Sequence, residues 1–341
     1  MLKVMRTLVV LVVVAALSVV STAQDVDRSD WPTTFIVGLF GGDDSAEALR
    51  EGEALRAYLA ETLEMEVLIT TGTSYSAVIE AMRADRVDAM LVGPFAFVLA
   101  EREADAEPIA VLALEGGVEG LVELPTEVPP PFYYSVFVTK KGSGIQTLED
   151  LQGVDFAFVD AASTSGRNAP IVRLINEIEG LETPADVDNW LNPVFAGSHP
   201  SAITALWNDS VDAAVTFEGN LLNFRNEGLA EVCGFDDDRV GVPLSEEDLA
   251  RIYDDCPEGN LVVIAQSAPI PNTPMAVRSE LPESFKAAVK EALLSIREDL
   301  DLMREVGFYF VDPTEIEGLE LDSISDFYDF VRDLARITAQ Q

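Results

Sequence analysis

The stretch Asp160-Ala161-Ala162-Ser163-Thr164-Ser165-Gly166-Arg167-Asn168-Ala169-Pro170 carries the residue types best suited to chemistry. It follows a strand-like run, Asp155 to Val159, and opens a helix-like run ending near Ile178. Three hydroxyl residues and a glycine at such a junction place O–H donors and unpaired backbone N–H groups at the positive end of a helix, an arrangement that suits an anion. The competing reading is an ordinary helix N-cap with spare hydroxyls.

The elements that must position this stretch read as alternating strands and helices. Thr33 to Leu39 reads as a strand, Ser45 to Met65 as a helix and Glu66 to Thr71 as a second strand. A helix is expected from Tyr75 to Ala84, a short strand at Ala89 to Val92, and a further helix opening at Gly93-Pro94. Tyr133 to Thr139, Asp155 to Val159, Val194 to Phe195 and Asp212 to Val215 supply a second set of strands. The pattern predicts an α/β architecture with mainly parallel sheets. Proline-rich passages at Glu119 to Pro131 and Ala268 to Pro274 read as two crossings between lobes. The expected layout is residues 24–130 in a first lobe, 131–267 in a second, and 268–341 returning to the first with C-terminal helices.

At 341 residues, with 48% hydrophobic and 24% charged residues, the chain is long enough for a substantial core, and disorder is excluded as its character. Residues 1–23 read as a secretory signal: Lys3 and Arg6 precede the apolar run Leu8 to Val20, and Ser21-Thr22-Ala23 offers small residues for cleavage. Removing it takes away two of the 22 cations and none of the 60 acids, leaving a net charge of −40. That field repels nucleic acid and anionic lipid. An anion site on this chain must therefore work through short-range neutral donors and helix ends.

Cys233 and Cys256 are the two cysteines, and in an exported chain the simplest reading is one disulfide; two buried thiols are the alternative. A bond would close an acidic excursion holding Asp236-Asp237-Asp238, Glu246-Glu247-Asp248 and Asp254-Asp255, read as a solvated, stapled loop without the ligand spacing of a calcium site. A zinc site does not fit two cysteines and a single, distant His199, and nothing in the pattern calls for a cofactor.

Shifting the chain on itself by 124 residues aligns Tyr75 to Ala89 with His199 to Ala213. Ile79 meets Ile203, Ala81 meets Ala205, Asp85 meets Asp209, and Val87-Asp88-Ala89 meets Val211-Asp212-Ala213. Generic α/β patterning would produce part of this match. The repeat also puts two long polar side chains, Tyr75 and His199, at equivalent helix starts, as two lobes facing across a cleft would require.

These residues resemble the phosphonate, phosphite and phosphate substrate-binding proteins of bacterial ABC transporters. The likeness runs from about Phe35 to about Arg297. It rests on Tyr75 with its helix, Gly93-Pro94, Tyr134-Ser135-Val136, the Gly144 to Gly153 segment, Ser163-Thr164-Ser165-Gly166, Gly197-Ser198-His199, and Ile270-Pro271 ahead of Pro274. The resemblance implies a two-lobed type II periplasmic-binding fold with the ligand in the interlobe cleft. It implies that Ser163, Thr164, Ser165 and His199 carry the oxyanion, that Tyr75 meets it from the opposite lobe, and that Glu218 approximates one amine-binding acid of the aminoalkylphosphonate members. Val92 and Thr273 stand where those members carry an aromatic residue and an acid, which favours a small ligand such as phosphite, methylphosphonate or phosphate. The implied setting is a monomer outside the cytoplasm, serving a membrane permease. Two alternatives are a serine hydrolase using Ser163, Ser165 and His199, which lacks the Gly-x-Ser-x-Gly elbow, and a ligand-sensing binding protein.

Overall fold

The computed structural model describes residues 27–42, 45–115, 118, 121–125, 128, 130–234 and 240–339. The signal-like residues 1–23, Asp236-Asp237-Asp238 and part of the first proline-rich passage lie outside them.

Two mixed sheets form the two lobes. The first begins with β1 (Thr34–Phe40), α1 (Ser45–Leu63), β2 (Glu66–Gly72), α2 (Tyr75–Arg83), β3 (Ala89–Leu91), α3 (Pro94–Ala104) and β4 (Ala106–Glu115). Leu55, Leu59 and Leu63, one turn apart on α1, bury against Phe35 and Val37 of β1, the periodicity that makes this segment a helix lying on a sheet. The chain then crosses through β5 (Phe132–Tyr133) into the second lobe: β6 (Ser135–Lys140), β7 (Asp155–Phe158), α4 (Ala169–Glu177), α5 (Pro184–Trp190), β8 (Asn192–Phe195), α6 (His199–Trp207), β9 (Ala213–Phe217), α7 (Glu218–Asn226), β10 (Val232–Cys233), α8 (Glu246–Asp255) and β11 (Leu261–Gln266). It returns through β12 (Ile270–Pro271) to β13 (Pro274–Arg278), α9 (Glu283–Ser295), α10 (Leu300–Val306), β14 (Phe308–Val311) and α11 (Asp329–Thr338).

Among the described residues the first sheet runs β14-β4-β13-β3-β1-β2 and the second β10-β11-β6-β9-β7-β8. The expected mainly parallel pairing is corrected here. In the first sheet β1 pairs parallel with β2 and β3, but β13 pairs antiparallel with β3 and β4. In the second, β7 is parallel to β8 and β9, while β6 is antiparallel to β9 and β11. The reason is the crossing. Strands β6 and β13 arrive from the other lobe rather than through a crossover helix, so nothing turns them parallel to their neighbours. The two crossings meet as an antiparallel pair, Ile270 opposite Tyr133 and Pro271 opposite Phe132.

The sequence repeat has a physical basis. Ser74 and Ser198 are both extended N-caps, accepting hydrogen bonds from Ala77 N and Ser201 N and so starting α2 at Tyr75 and α6 at His199. Asp85 and Asp209 both take left-handed φ values, 54° and 57°, where each helix ends. Asp88 then accepts Ile36 N at 2.9 Å, and Asp212 accepts Asp155 N at 3.0 Å, tying each helix-to-strand turn to the start of another strand of its sheet, β1 in the first lobe and β7 in the second.

Helix α11 packs on both lobes. Arg332 bridges to Glu101 of α3 at 2.6 Å, while Leu334, Phe330 and Ile337 join a cluster with Tyr133, Ala169, Val172 and Ile270. The described part of the excursion, 233–234 and 240–256, is stapled and keeps Glu246, Glu247, Asp254 and Asp255 exposed as expected, but it is not solvated throughout. Cys233 and Cys256 are disulfide-bonded, and Ile252, Tyr253 and Cys256 are buried in a cluster with Phe137 and Val262. Leu244 N donates to Gln266 Oε1 at 2.8 Å, so one side of its helix α8 and the chain leading into it pack on the second lobe. No helix of the described residues is long and apolar enough to cross a membrane.

The disulfide spans a separation of 23 residues. Replacing both cysteines by serine is expected to lower the unfolding free energy by roughly 3 kcal/mol, measured by denaturant titration; an unchanged midpoint would show that packing alone holds the excursion.

Candidate functional site

The hydroxyl stretch does not open as a simple α-helical N-terminus. Residues Thr164–Asn168 form a single π-type turn ahead of α4, with Asn168 N donating to Ser163 O at 3.1 Å and Ala169 N to Thr164 O. One residue more per turn widens the backbone, a feature that recurs at functional sites. Gly166 is required within this turn: a Cβ there would lie 2.4 Å from Val159 Cβ and 2.7 Å from Ser163 Oγ. The Asn168 side chain stabilises the turn by donating to the carbonyls of Ala161 and Ser163 at 2.9 and 2.8 Å.

Four of the expected site residues gather at this turn: Ser163, Thr164, Ser165 and His199. Ser163 Oγ accepts Gly166 N at 3.0 Å and faces His199 Nε2 at 3.4 Å. Ser165 is held through its carbonyl, which accepts Ser135 Oγ at 2.6 Å. Ser163, Thr164, Ser165 and His199 are all buried. Arg167, the cation of the segment, is committed elsewhere, bridging to Asp188 at 2.7 Å with its guanidinium 4.3 Å from the Phe158 ring centre.

The first lobe approaches from the other side. Phe95 N, in the first turn of α3, donates to Thr164 Oγ1 at 2.9 Å. A Cβ on Gly93 would lie 3.4 Å from Thr164 Oγ1 and 3.8 Å from Tyr75 Cε1, so Thr164 and Tyr75 converge on this one glycine. Tyr75 stacks on Phe40, ring centres 4.0 Å apart. Gly42, at φ 51°, lies close to Ser198 of the second lobe, where a Cβ would come within 3.0 Å of the serine Cβ. Tyr75, Thr164, Ser163 and His199 thus line one interlobe seam.

Glu218 is placed differently. It is fully buried at the start of α7, where its Oε1 accepts Gly241 N, and it lines a small cavity beside the hinge with Phe132, Tyr133, Phe217 and Asn272. Its charge also contributes to raising the Tyr134 hydroxyl pKa, second to burial.

His199 is 7% exposed, and burial pushes its pKa down from an ordinary 6.5 to about 3. The ring is therefore neutral near pH 7. It meets Phe217 edge-on, with centres 4.8 Å apart, and its Nδ1 lies 3.1 Å from Thr216 Oγ1. Chemically the seam offers hydroxyls, backbone N–H groups and a neutral imidazole, a donor set for oxygen atoms of an anion.

The family described as the periplasmic phosphonate substrate-binding protein of ABC transporters matches residues 38–317. The chain belongs to this family. Among its relatives is the phosphate-import protein PhnD of Mycolicibacterium smegmatis, 29% identical over 199 residues. That match spans 57% of this chain and 58% of the relative, little more than half the length of each. The fold is similar to PhnD1 of Prochlorococcus marinus solved with methylphosphonate (TM-score 0.61, 16% identity, 89% of this chain and 98% of that one). It is also similar to a binding protein of a Pseudomonas aeruginosa ABC phosphonate transporter (TM-score 0.61, 18% identity, 90% and 97%).

The family is one of substrate-binding proteins and not of enzymes, and none of these similarities supports the hydrolase alternative. The geometry agrees: the partner behind His199 is the Thr216 hydroxyl rather than a carboxylate, and Ser163 Oγ already accepts a backbone N–H. Sequence reasoning missed Phe95, whose contribution is a backbone N–H that carries no side-chain signature. It also missed Thr216, which reads as an ordinary strand residue until β9 places it behind the only histidine.

A histidine that is neutral in the folded protein but titrates near 6.5 when unfolded leaves the unfolded chain with more bound protons between those values. Stability is therefore lost as pH falls from about 6.5 toward about 3. His199→Gln is expected to flatten this part of the pH–stability curve relative to the parent protein, measured by denaturant unfolding; parallel curves would show that burial does not depress the imidazole pKa.

Proposed function

We propose that this protein captures a small phosphorus oxyanion between its lobes and delivers it to an ABC permease. The observation that carries this reading is the meeting of Thr164 with the α3 N-terminus beside Tyr75, while Ser163 and His199 stand together on the second-lobe side. In this reading Ser163, Thr164, Ser165 and His199 form the second-lobe cradle, and Tyr75 closes on the ligand from the first. The Thr164 hydroxyl, which bonds to Phe95 N, takes an oxyanion oxygen when ligand enters.

The ligand is small: methylphosphonate, phosphite or phosphate. Val92 is a core residue packed with Tyr75, and Thr273 stands where an amine-binding acid would be needed. The methylphosphonate held by the Prochlorococcus relative is of this size class. Glu218, though buried, holds Gly241 N and lies beside the hinge, so its role is to support the cleft wall or to meet a ligand substituent there. The protein works as a monomer outside the cytoplasm, exported through residues 1–23, with the Cys233–Cys256 bond formed in that oxidising setting. A net charge of −40 opposes long-range attraction of an anion, so capture is faster at higher ionic strength.

Isothermal titration of the mature protein is expected to show saturable binding of at least one of methylphosphonate, phosphite and phosphate. Thr164→Ala or His199→Ala is expected to weaken it by roughly 10- to 100-fold, the usual loss of a hydrogen bond to a charged group. Absence of binding to all three would overturn the ligand assignment, and unchanged affinity in both variants would overturn the site.

A further inference from the structure

His199 is backed by two buried residues that no resemblance assigns. Thr216 is the penultimate residue of β9 and Asn220 lies in the first turn of α7; Thr216 is wholly buried and Asn220 is 5% exposed. Asn220 Nδ2 donates to Thr216 Oγ1 at 3.0 Å, and the same oxygen lies 3.1 Å from His199 Nδ1. A hydroxyl has one proton to give and lone pairs to receive with. With one lone pair receiving the Asn220 N–H, the Thr216 proton needs an acceptor where water is excluded, and His199 Nδ1 stands at the right distance. A ring nitrogen that accepts carries no proton. Ser163 Oγ also receives an amide N–H, but it lies in the seam and farther from the ring, so its proton is left for a ligand oxygen, and the imidazole proton sits on Nε2, the nitrogen that faces it.

We propose that Asn220 and Thr216 form a directional hydrogen-bond relay that fixes His199 as its Nε2–H tautomer, so that the neutral ring presents a donor and no acceptor to the ligand. This rests on the reading of Ser163, Thr164, Ser165 and His199 as an oxyanion cradle. Within it, the relay sets which protonation state of the oxyanion is preferred. An Nε2–H group is complementary to a deprotonated oxygen, whereas the opposite tautomer would turn a lone pair toward it and favour an oxygen that keeps its proton. Thr216 and Asn220 are thus positioning residues, acting through His199 without touching the ligand. The direction of the Asn220 amide matters: a side chain that could only accept would take the Thr216 proton and reverse the chain.

His199 is the single histidine of the protein, so selective ¹⁵N-histidine labelling gives one imidazole to read. In long-range ¹H–¹⁵N spectra of the ligand-free mature protein near pH 7, Nε2 is expected at a pyrrole-type shift and Nδ1 at a pyridine-type shift. A pyrrole-type Nδ1, or two averaged nitrogens, would overturn the proposal. Asn220→Asp, whose carboxylate only accepts, is expected to put a proton on Nδ1 and move its resonance toward the pyrrole-type range; a folded variant with an unprotonated Nδ1 would also overturn the relay. Thr216→Ser retains the hydroxyl and is expected to retain the parent spectrum, which keeps the test decisive where Asn220→Asp does not fold. Because these spectra need no ligand, they report on the relay separately from the titration that tests the oxyanion reading.

Discussion

One hydrogen bond joins the two halves of the site: the N–H of Phe95, in the first turn of α3, to the hydroxyl of Thr164 in the π-type turn. The geometry around it constrains much else. Gly93 lies beside both Thr164 and Tyr75, and the turn that carries Thr164 can lie against Val159 because residue 166 is glycine. The same turn puts Ser163 beside His199. A hydroxyl that satisfies a helix-end donor occupies the kind of position an anionic oxygen would take, since both offer a lone pair to a backbone N–H.

In a chain with nearly three acids for each cation, the seam as drawn from the described residues is lined by neutral donors. Arg167 is turned to Asp188 and laid over Phe158, and His199 is kept neutral by burial. What remains is a set of dipoles fixed by their surroundings: a hydroxyl cluster braced by Asn168, an imidazole braced by Thr216, and a helix end. Fixed neutral donors need little reorganisation when an anion enters, and their short range lets them act inside a repulsive global field.

The fold class was legible because its signals are local and repeated. The N-caps Ser74 and Ser198, the left-handed Asp85 and Asp209, and the paired Asp88 and Asp212 recur at one spacing, so the sequence announces the same helix-to-strand unit twice. Strand direction was not legible. Whether β6 and β13 run parallel or antiparallel depends on the direction in which the chain enters the middle of each sheet after crossing between lobes, and no local residue pattern records that. The excursion from 233 to 256 was legible in its staple and its exposed acids, while the packing of Ile252 and Tyr253 against β11 depends on tertiary contacts that no local pattern records. At the site, hydroxyls and the lone histidine were visible as residue types. The π-type turn, the Phe95 N–H and the support from Thr216 and Asn220 are products of backbone geometry and long-range placement.

The most direct measurement of the central claim is a crystal structure of the mature protein grown with methylphosphonate. The account predicts the phosphonate in the interlobe seam, its oxygens within hydrogen-bond distance of Ser163, Thr164, Ser165 and His199 Nε2, with Tyr75 against it and the Phe95–Thr164 bond opened or shared. A phosphonate bound elsewhere, or a seam in which Phe95 N still caps Thr164 and no ligand enters, would contradict it.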